Sequence, residues 1–234
     1  MDIEQYFKDK LKELDIDNID KISEEFKIYY DNLISYNEKV NLTSIVEKNE
    51  VYEKHFIDSI LPLKIFKNGS SICDIGTGAG FPSLPLAITN KTLTIYAVDS
   101  LNKRIDFLNM LKDKIEITNF LTFHSRAEDF SKNYREKFDY CVSRAVSKLN
   151  TLCEYCLPLV KVGGYMVAYK SLNYQEEISE SQNAISILGG QIEKILDFDL
   201  PLCNQKRHII LIKKIHSTPK KYPRPQNKPK SQPL

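Results

Sequence analysis

Short apolar runs alternate with longer amphipathic segments from about Ser71 to about Lys213, and this alternation limits the possible folds more than any other feature. The runs have the length of strands, and the segments between them have the apolar spacing of helices. This βαβα order predicts a mostly parallel sheet with helices on both faces. No helix separates the last two runs, so we expect them to form an antiparallel hairpin at the sheet edge. The predicted strands are Ser71–Ile75, Leu93–Val98, Ile117–Phe123, Phe138–Val142, Tyr165–Tyr169, Gln191–Phe198 and Arg207–Lys213. The predicted helices are Phe81–Thr89, Leu101–Asp113, Leu149–Val160 and Asn173–Leu188.

Two further segments flank this region. Apolar residues recur at three- and four-residue steps between Ile19 and Ile34, which predicts an amphipathic helix, and a second helix is expected at Val51–Ile60. The turn-forming cluster Lys67–Ser71 is the predicted domain boundary. From His216 onward prolines alternate with basic residues, so we expect an extended or flexible arm without a helix. The predicted organisation is a helical extension at 1–70, a cofactor-binding domain at 71–215 and a basic, proline-rich tail at 216–234.

The charges of the chain are unevenly distributed, although the net charge is only +2. Residues 1–70 carry fifteen acidic and ten basic side chains, whereas residues 200–234 carry nine Lys and Arg and no acid. A basic end suggests a polyanionic partner, and a merely solvated tail is the alternative. The five cysteines, including an isolated C-x-x-C at Cys153 and Cys156, lack the spacing of a disulfide framework or a zinc site. We therefore expect reduced thiols, no metal and, since no apolar run could span a bilayer, a cytoplasmic protein without a membrane segment.

A glycine-rich segment follows the first predicted strand, at the carboxyl end where open α/β sheets bind ligands. Gly76, Gly78 and Gly80 have the spacing G-x-G-x-G, whereas dinucleotide fingerprints read G-x-G-x-x-G around a pyrophosphate. Asp99 ends the next strand, 23 residues after Gly76, where a carboxylate can accept hydrogen bonds from ribose hydroxyls. Glu128, after the third strand, could contact an adenine ring. A nicotinamide-dependent dehydrogenase is the alternative, but it would need a Tyr-Lys or His site that the sequence does not clearly offer.

Several segments together resemble the RsmG (GidB) family of ribosomal small-subunit methyltransferases. They extend over nearly the whole chain, so their combination is more specific than any single motif. The matching segments are Tyr36–Thr43, His55–Ser59, Asp74–Pro82, Asp99-Ser100 with Lys103-Arg104, Arg126–Glu128, Ser143–Val146, Lys221–Arg224 and Pro233-Leu234. The chain departs from the family pattern at Tyr36, Lys54, Ser83, Ser171 and Asn227, where Trp, Arg, Gly, Gly and Gly are usual.

The resemblance implies an α/β class I (Rossmann-like) methyltransferase fold and a cytoplasmic enzyme. The implied reaction transfers a methyl group from S-adenosylmethionine to N7 of a guanosine in the decoding-centre loop of 16S rRNA. Carried over by position, the cofactor contacts are Gly76, Phe81, Ala127, Glu128 and Arg144, and the class I pattern adds Gly78, Gly80 and Asp99. The expected partner is small-subunit rRNA or the assembling subunit, bound by a monomer. A non-catalytic RNA-binding or ribosome-assembly factor that retains the fold is a further alternative.

Several basic side chains are candidates for RNA contacts. They are His55, Lys103, Arg104, Lys170, Lys220, Lys221 and Arg224. His55 could instead act with Asp58, three residues along the same helix, to attach the helical extension to the sheet. We expect the tail to contact phosphates without affecting cofactor binding. N7 of neutral guanine already has a free lone pair, so we name no catalytic acid or base.

Overall fold

A seven-stranded sheet forms the centre of the protein. The computed structural model describes residues 2–144, 147–171 and 173–234; the Ala145-Val146 part of the predicted Ser143–Val146 motif lies outside them. The strands are β1 (Ser71–Ile75), β2 (Thr94–Asp99), β3 (Phe120–His124), β4 (Phe138–Arg144), β5 (Val160–Lys170), β6 (Gly190–Leu200) and β7 (Gln205–Lys214). Their order across the sheet is β3-β2-β1-β4-β5-β7-β6.

The first five strands are parallel and the last two are antiparallel to their neighbours. β1 pairs in parallel with both β2 and β4, while β7 pairs antiparallel with β5 and with β6. The predicted mixed sheet with an edge hairpin is therefore confirmed. The returning strand β7 enters the sheet beside β5, so β6 is the strand at the edge. The carboxyl ends of β1, β2 and β4 meet at one edge of the sheet.

The helices cover the sheet and fill the region before it. They are α1 (Ile3–Glu13), α2 (Ile19–Asn37), α3 (Lys48–Val51), α4 (Asp58–Ile60), α5 (Ser83–Thr89), α6 (Asn102–Lys114), α7 (Ala127–Tyr134), α8 (Leu149–Cys156), α9 (Tyr174–Ile187) and α10 (Lys228–Ser231). A π-helical segment, Tyr52–Ile57, joins α3 to α4, and 3-10 turns lie at Leu63–Ile65 and Leu157–Leu159. The apolar patterns of the sequence did not predict α1 or α7 individually.

The fifth strand differs from the prediction. We expected a helix to Val160 and a strand only from Tyr165, but β5 begins at Val160 and continues through Gly163 and Gly164. Backbone crowding explains this, because a Cβ atom on Gly164 would lie 2.5 Å from the carbonyl oxygen of Asp139 in β4. The glycine thus permits close strand packing where the sequence pattern indicated no strand.

The amphipathic helix predicted from Ile19 is present as α2, and its apolar side packs on the glycine-rich loop. Phe26, Tyr29 and Leu33 are fully buried. The Tyr29 ring stacks on Phe81 with centroids 5.3 Å apart, and its hydroxyl donates to the Ala79 carbonyl at 2.5 Å. The helical extension therefore forms one wall of the loop that follows β1.

The tail is not the extended or flexible arm that we expected. Residues after His216 pack on the domain, where Tyr222 is buried and Arg135 donates to the carbonyl oxygens of Thr218 and Tyr222 at 2.5 and 2.7 Å. The short helix α10 also contradicts the expectation of no helix. Prolines limit helices mainly beyond their first turn, and Pro229 lies within the first two positions of α10.

Within residues 2–144, 147–171 and 173–234, no helix has the length and apolar character needed to cross a bilayer.

Candidate active site

An open cleft of about 1000 Å³ lies at the carboxyl edge of the sheet. We divide its lining into two groups of residues, which we call lobes. The loop lobe is lined by Gly76, Thr77, Gly78, Asp99, Ala127, Glu128 and Tyr155. The basic lobe is lined by Leu42, Thr43, Lys54, His55, Arg144, Lys170, Gln205 and Arg207. Phe81 also lines this cleft, so the structure brings together predicted site residues that lie between His55 and Lys170 in the sequence.

The three predicted cofactor glycines have different surroundings. Gly76 has a φ of +74° and its amide donates to the Val98 carbonyl at 2.9 Å, which turns the chain sharply after β1. Gly78 has a φ of +62°, and a Cβ atom there would meet nothing nearer than the Gly76 carbonyl oxygen at 4.0 Å. The empty space beside Gly78 is therefore cleft, available to a ligand.

Gly80 serves packing and does not line the cleft. A Cβ atom at this position would lie 2.7 Å from the Tyr29 hydroxyl and 2.8 Å from Leu108, and its φ is +104°. A side chain here would collide with α2 and α6. The G-x-G-x-G spacing alone could not distinguish this glycine from Gly78.

Asp99 fixes the loop from the end of β2. Its Oδ2 accepts hydrogen bonds from the Gly78 amide at 2.9 Å and from Arg104 Nη1 at 3.1 Å. Its Oδ1 accepts from the Leu101 amide at 2.9 Å. Arg104, which we predicted to contact RNA, thus forms an ion pair with Asp99, which we predicted to bind the ribose. The carboxylate still lines the loop lobe, where a ligand hydroxyl can reach it.

Asp74 is a buried carboxyl group behind the loop lobe. Its side chain is fully buried, and neither oxygen has a hydrogen-bond partner among the described residues. Burial raises the pKa of Asp74 to about 7, because the charged form loses its solvation there and the neighbouring Ser83 and Thr77 hydroxyls offset this only in part. Asp74 is not in the lining of the cleft, so this carboxyl group lies behind the loop.

Asp58 joins the helical extension to the sheet. It is fully buried, its Oδ2 accepts from Arg144 Nη1 at 2.8 Å and its Oδ1 accepts from Arg207 Nε at 2.6 Å. Asp58 thus attaches the helical extension to β4 and β7 by itself. Among the described residues no hydrogen bond joins it to His55, which instead contacts Thr43 and Arg144. Within the part of the chain that is described, the two Nη atoms of Arg207 form no hydrogen bond, so its planar fork lies free at the basic lobe.

Aromatic and cationic side chains stack where the two lobes meet. The His55 and Phe81 rings lie 4.4 Å apart, and the Arg144 guanidinium carbon is 5.0 Å from the Phe81 ring centre. His55 Nε2 is 3.0 Å from the Thr43 hydroxyl. Burial, reinforced by the nearby charge of Arg144, lowers the pKa of His55 to about 3. His55 is therefore neutral at physiological pH and is not a cation for RNA phosphates.

The other predicted RNA contacts are dispersed. Lys170 borders the cleft but its ammonium is bound to Glu177 at 2.6 Å and to the Ser147 carbonyl at 2.9 Å. Lys103 is exposed on α6, and Lys220 and Lys221 are exposed on the tail. Arg224 is not available as a phosphate ligand in this structure, because its guanidinium is paired with Glu154, whose side chain is 1% exposed.

Several lining residues were missed by sequence reasoning. Thr43 and Gln205 are neutral polar residues without a distinguishing pattern, and Tyr155 resembles any apolar position of α8. Arg207 lies in the basic C-terminal part of the chain, so charge pointed to the region without identifying the residue. Among the described residues, no group of three His, Cys, Asp or Glu side chains is placed to hold a metal ion.

The sheet order, with an antiparallel β7 next to β5 and a glycine loop after β1, is that of the class I methyltransferase fold. Two solved structures share this fold. TYW2 of M. jannaschii, in complex with AdoMet, has a TM-score of 0.58 at 13% identity, covering 74% of this chain and 80% of that one. The YcgJ protein of Bacillus subtilis has a TM-score of 0.54 at 13% identity, covering 70% and 100%. The predicted fold class is confirmed.

Sequence comparison identifies the family within this class. The model of the family "rRNA small subunit methyltransferase G" matches residues 22–210. A relative of that name from Lactobacillus acidophilus is 49% identical over 221 residues, covering 92% of both chains. Another from Bacillus cytotoxicus is 48% identical over 238 residues, covering 100% of this chain and 99% of that one. The chain belongs to the rRNA small subunit methyltransferase G family, which confirms the resemblance and argues against the dehydrogenase alternative.

Proposed function

We propose that this protein transfers the methyl group of S-adenosylmethionine to N7 of a guanosine in the decoding-centre loop of 16S rRNA. The observation that carries the proposal is the free space beside Gly78, in a positive-φ loop at the carboxyl end of β1. The positive φ by itself favours glycine, and the open space beside Gly78 leaves room for a ligand to approach the backbone closely. Family membership supplies the substrate class, and the loop spacing favours a nucleoside cofactor without pyrophosphate.

The loop lobe has the groups that such a cofactor requires. Gly76 and Gly78 allow contact with the backbone, and Asp99 can accept hydrogen bonds from ribose hydroxyls. Ala127 and Glu128 begin α7 at the edge of the lobe and would contact adenine. Arg144 lies at the junction of the lobes and would attract the methionine carboxylate. When bound, the cofactor supplies an electrophilic methyl group.

The basic lobe would hold the target nucleotide. The stacked rings of His55 and Phe81 offer a surface against which a splayed base can lie, as in other enzymes that unstack their target. The fork of Arg207 is rigidly held by Asp58 and can bind an adjacent phosphate with two parallel hydrogen bonds. The exposed Lys220 and Lys221 would add weaker phosphate contacts from the tail.

The chain need not move a proton to perform this reaction. N7 of guanine is an unprotonated acceptor, so it can attack the methyl carbon directly. His55 is neutral at physiological pH, because its pKa is about 3, and thus contributes shape and stacking. Alignment of the reacting atoms can lower the barrier by about 7–11 kcal/mol. The residues at the junction of the lobes therefore act by positioning.

The substrate places the enzyme in the cytoplasm, where ribosomes assemble. We propose that it acts as a monomer. The exposed large apolar side chains of the described residues are few, and each comes from a different segment of the sequence. Whether naked rRNA or an assembling subunit is bound is decided by the same assay that tests the reaction.

The proposal is tested by methyl transfer from radiolabelled S-adenosylmethionine to purified 16S rRNA and to small subunits lacking the modification. Nucleoside mass spectrometry of the product should show 7-methylguanosine. The matched control is Gly78→Val, which places two methyl groups in the cofactor space and should abolish transfer while the circular dichroism spectrum is retained. Methylation of another atom, or full activity of Gly78→Val, would contradict the proposal.

A further inference from the structure

The carboxylate of Glu128, at the adenine edge of the loop lobe, is held by the tail. The backbone amide of Asn227 donates to Glu128 Oε1 at 3.2 Å. The side-chain oxygen of Asn227 lies 3.5 Å from the hydroxyl of Tyr155. Glu128 and Tyr155 both line the cleft, so a segment almost a hundred residues away in sequence touches two of its walls.

A buried ion pair anchors this part of the tail. Glu154 accepts hydrogen bonds from the Arg224 amide at 2.7 Å, from its Nε at 2.9 Å and from its Nη2 at 2.6 Å. Arg224 Nη2 also donates to the Gln232 carbonyl at 2.8 Å, which closes the segment on itself. Because a buried carboxylate without its partner is costly, the pair resists opening.

The backbone at Asn227 gives this contact its direction. Its φ is +58°, a left-handed conformation that asparagine tolerates better than most residues. The turn aims the Asn227 amide at Glu128, while the following helix α10 places the Pro229 carbonyl 3.1 Å from the Thr151 hydroxyl of α8. The tail thus contacts both α7 and α8 beside the loop lobe.

We propose that the tail is part of the cofactor site. Arg224 and Glu154 anchor the segment 222–231, and the Asn227 amide occupies Oε1 of Glu128. The second oxygen, Oε2, is thereby oriented toward the cleft, where it accepts a hydrogen bond from the 6-amino group of adenine. Arg224 is a positioning residue in this arrangement. The inference rests on the proposed function, since it assumes that Glu128 faces the adenine ring.

The test compares two ligands that differ only at this position. Isothermal titration calorimetry measures the dissociation constants of S-adenosylhomocysteine and of its 6-deamino analogue, in which purine replaces adenine so that a hydrogen stands in place of the 6-amino group and N1 remains an acceptor. A hydrogen bond to a charged acceptor predicts that the wild-type protein favours the adenosyl ligand by about tenfold or more. Arg224→Gln should reduce this preference to below about threefold. Lys230→Gln removes an equal charge from an exposed tail position and should leave the preference unchanged.

A second variant separates the anchor from the contact. A chain ending at Gln226 keeps the Arg224–Glu154 pair but lacks the Asn227 amide, and it should also lose the preference. Thermal unfolding checks that each variant is folded. If either folded variant keeps the wild-type preference, or binds both ligands more weakly by the same factor, the tail does not orient Glu128. If the wild-type protein binds neither ligand, the cofactor assignment itself fails.

Discussion

Replacing Asp74 with asparagine should change how the stability of the protein depends on pH. Burial raises the pKa of Asp74 from 3.8 to about 7, a shift of roughly three units. Each unit corresponds to about 1.4 kcal/mol, so the folded state disfavours the ionised form by about 4 kcal/mol. The unfolded chain releases this proton near pH 4, whereas the folded chain keeps it until about pH 7.

The sign of the effect follows from proton binding. Between pH 4 and pH 7 the folded state binds more protons at this group than the unfolded state, so its contribution to stability falls as pH rises. The side-chain amide introduced by the substitution does not titrate and has no such slope. The free energy of unfolding of Asp74→Asn should therefore rise by about 4 kcal/mol relative to that of wild type between pH 4 and pH 7, and this difference should change little above pH 8.

Urea unfolding followed by far-ultraviolet circular dichroism measures this difference at intervals from pH 4 to pH 8. Asp139→Asn is the matched control, because Lys161 and the Ser71 hydroxyl and amide hold the pKa of Asp139 below its usual value despite partial burial. The contribution of Asp139 to stability is lost only below the pKa that this group has in the unfolded chain. The difference in free energy of unfolding between Asp139→Asn and wild type should therefore not change with pH over this range. A flat difference for Asp74→Asn as well would refute the view that this carboxyl is unpaired and protonated.

Three further predictions concern the two lobes. Because the pKa of His55 is about 3, the rate of single-turnover methyl transfer should be nearly constant from pH 6 to pH 8. A change in rate with an ionisation near pH 6.5 that His55→Gln removes would contradict the mechanism. Gly78→Val should lose cofactor binding in calorimetry while staying folded. Gly80→Ala should instead lower the free energy of unfolding by about 2–4 kcal/mol, because its Cβ collides with Tyr29. If the two variants lost cofactor affinity and stability to the same extent, Gly78 would not serve the ligand while Gly80 serves packing. Arg207→Gln should weaken RNA binding and reduce the slope of log affinity against log salt by about 0.7–0.9, with cofactor affinity unchanged, and an identical slope would exclude a phosphate contact.

Much of the fold could be predicted because its signals are local. The strand of β1, the glycines after it and Asp99 at the end of β2 are each set by neighbouring residues, and parallel strands then bring their carboxyl ends together. The glycine spacing indicated a ligand-binding segment after β1. It could not separate Gly78 from Gly80, because that difference depends on Tyr29 and Leu108, which lie far away in sequence.

The tail shows where sequence reasoning fails. Its prolines and basic residues are typical of a solvated arm, but Arg224 meets Glu154, 70 residues earlier, and Arg135 meets three tail carbonyls. A list of charges does not reveal which cations have buried partners. The same limitation applied to Arg104, whose partner Asp99 was assigned only to the cofactor. Long-range pairing is decided by tertiary packing, which a single sequence does not contain.

Methyl mapping in cells shows whether this chain methylates one guanosine of 16S rRNA at N7. Ribosomal RNA from a strain lacking the protein is digested and compared by mass spectrometry with RNA from strains that carry the wild-type gene or Gly78→Val. One 7-methylguanosine in the decoding-centre loop should be absent from the deletion strain, restored by the wild-type gene and not restored by Gly78→Val. An unchanged methylation map, or the loss of a methyl group from another base or atom, would rule out methyl transfer to this N7.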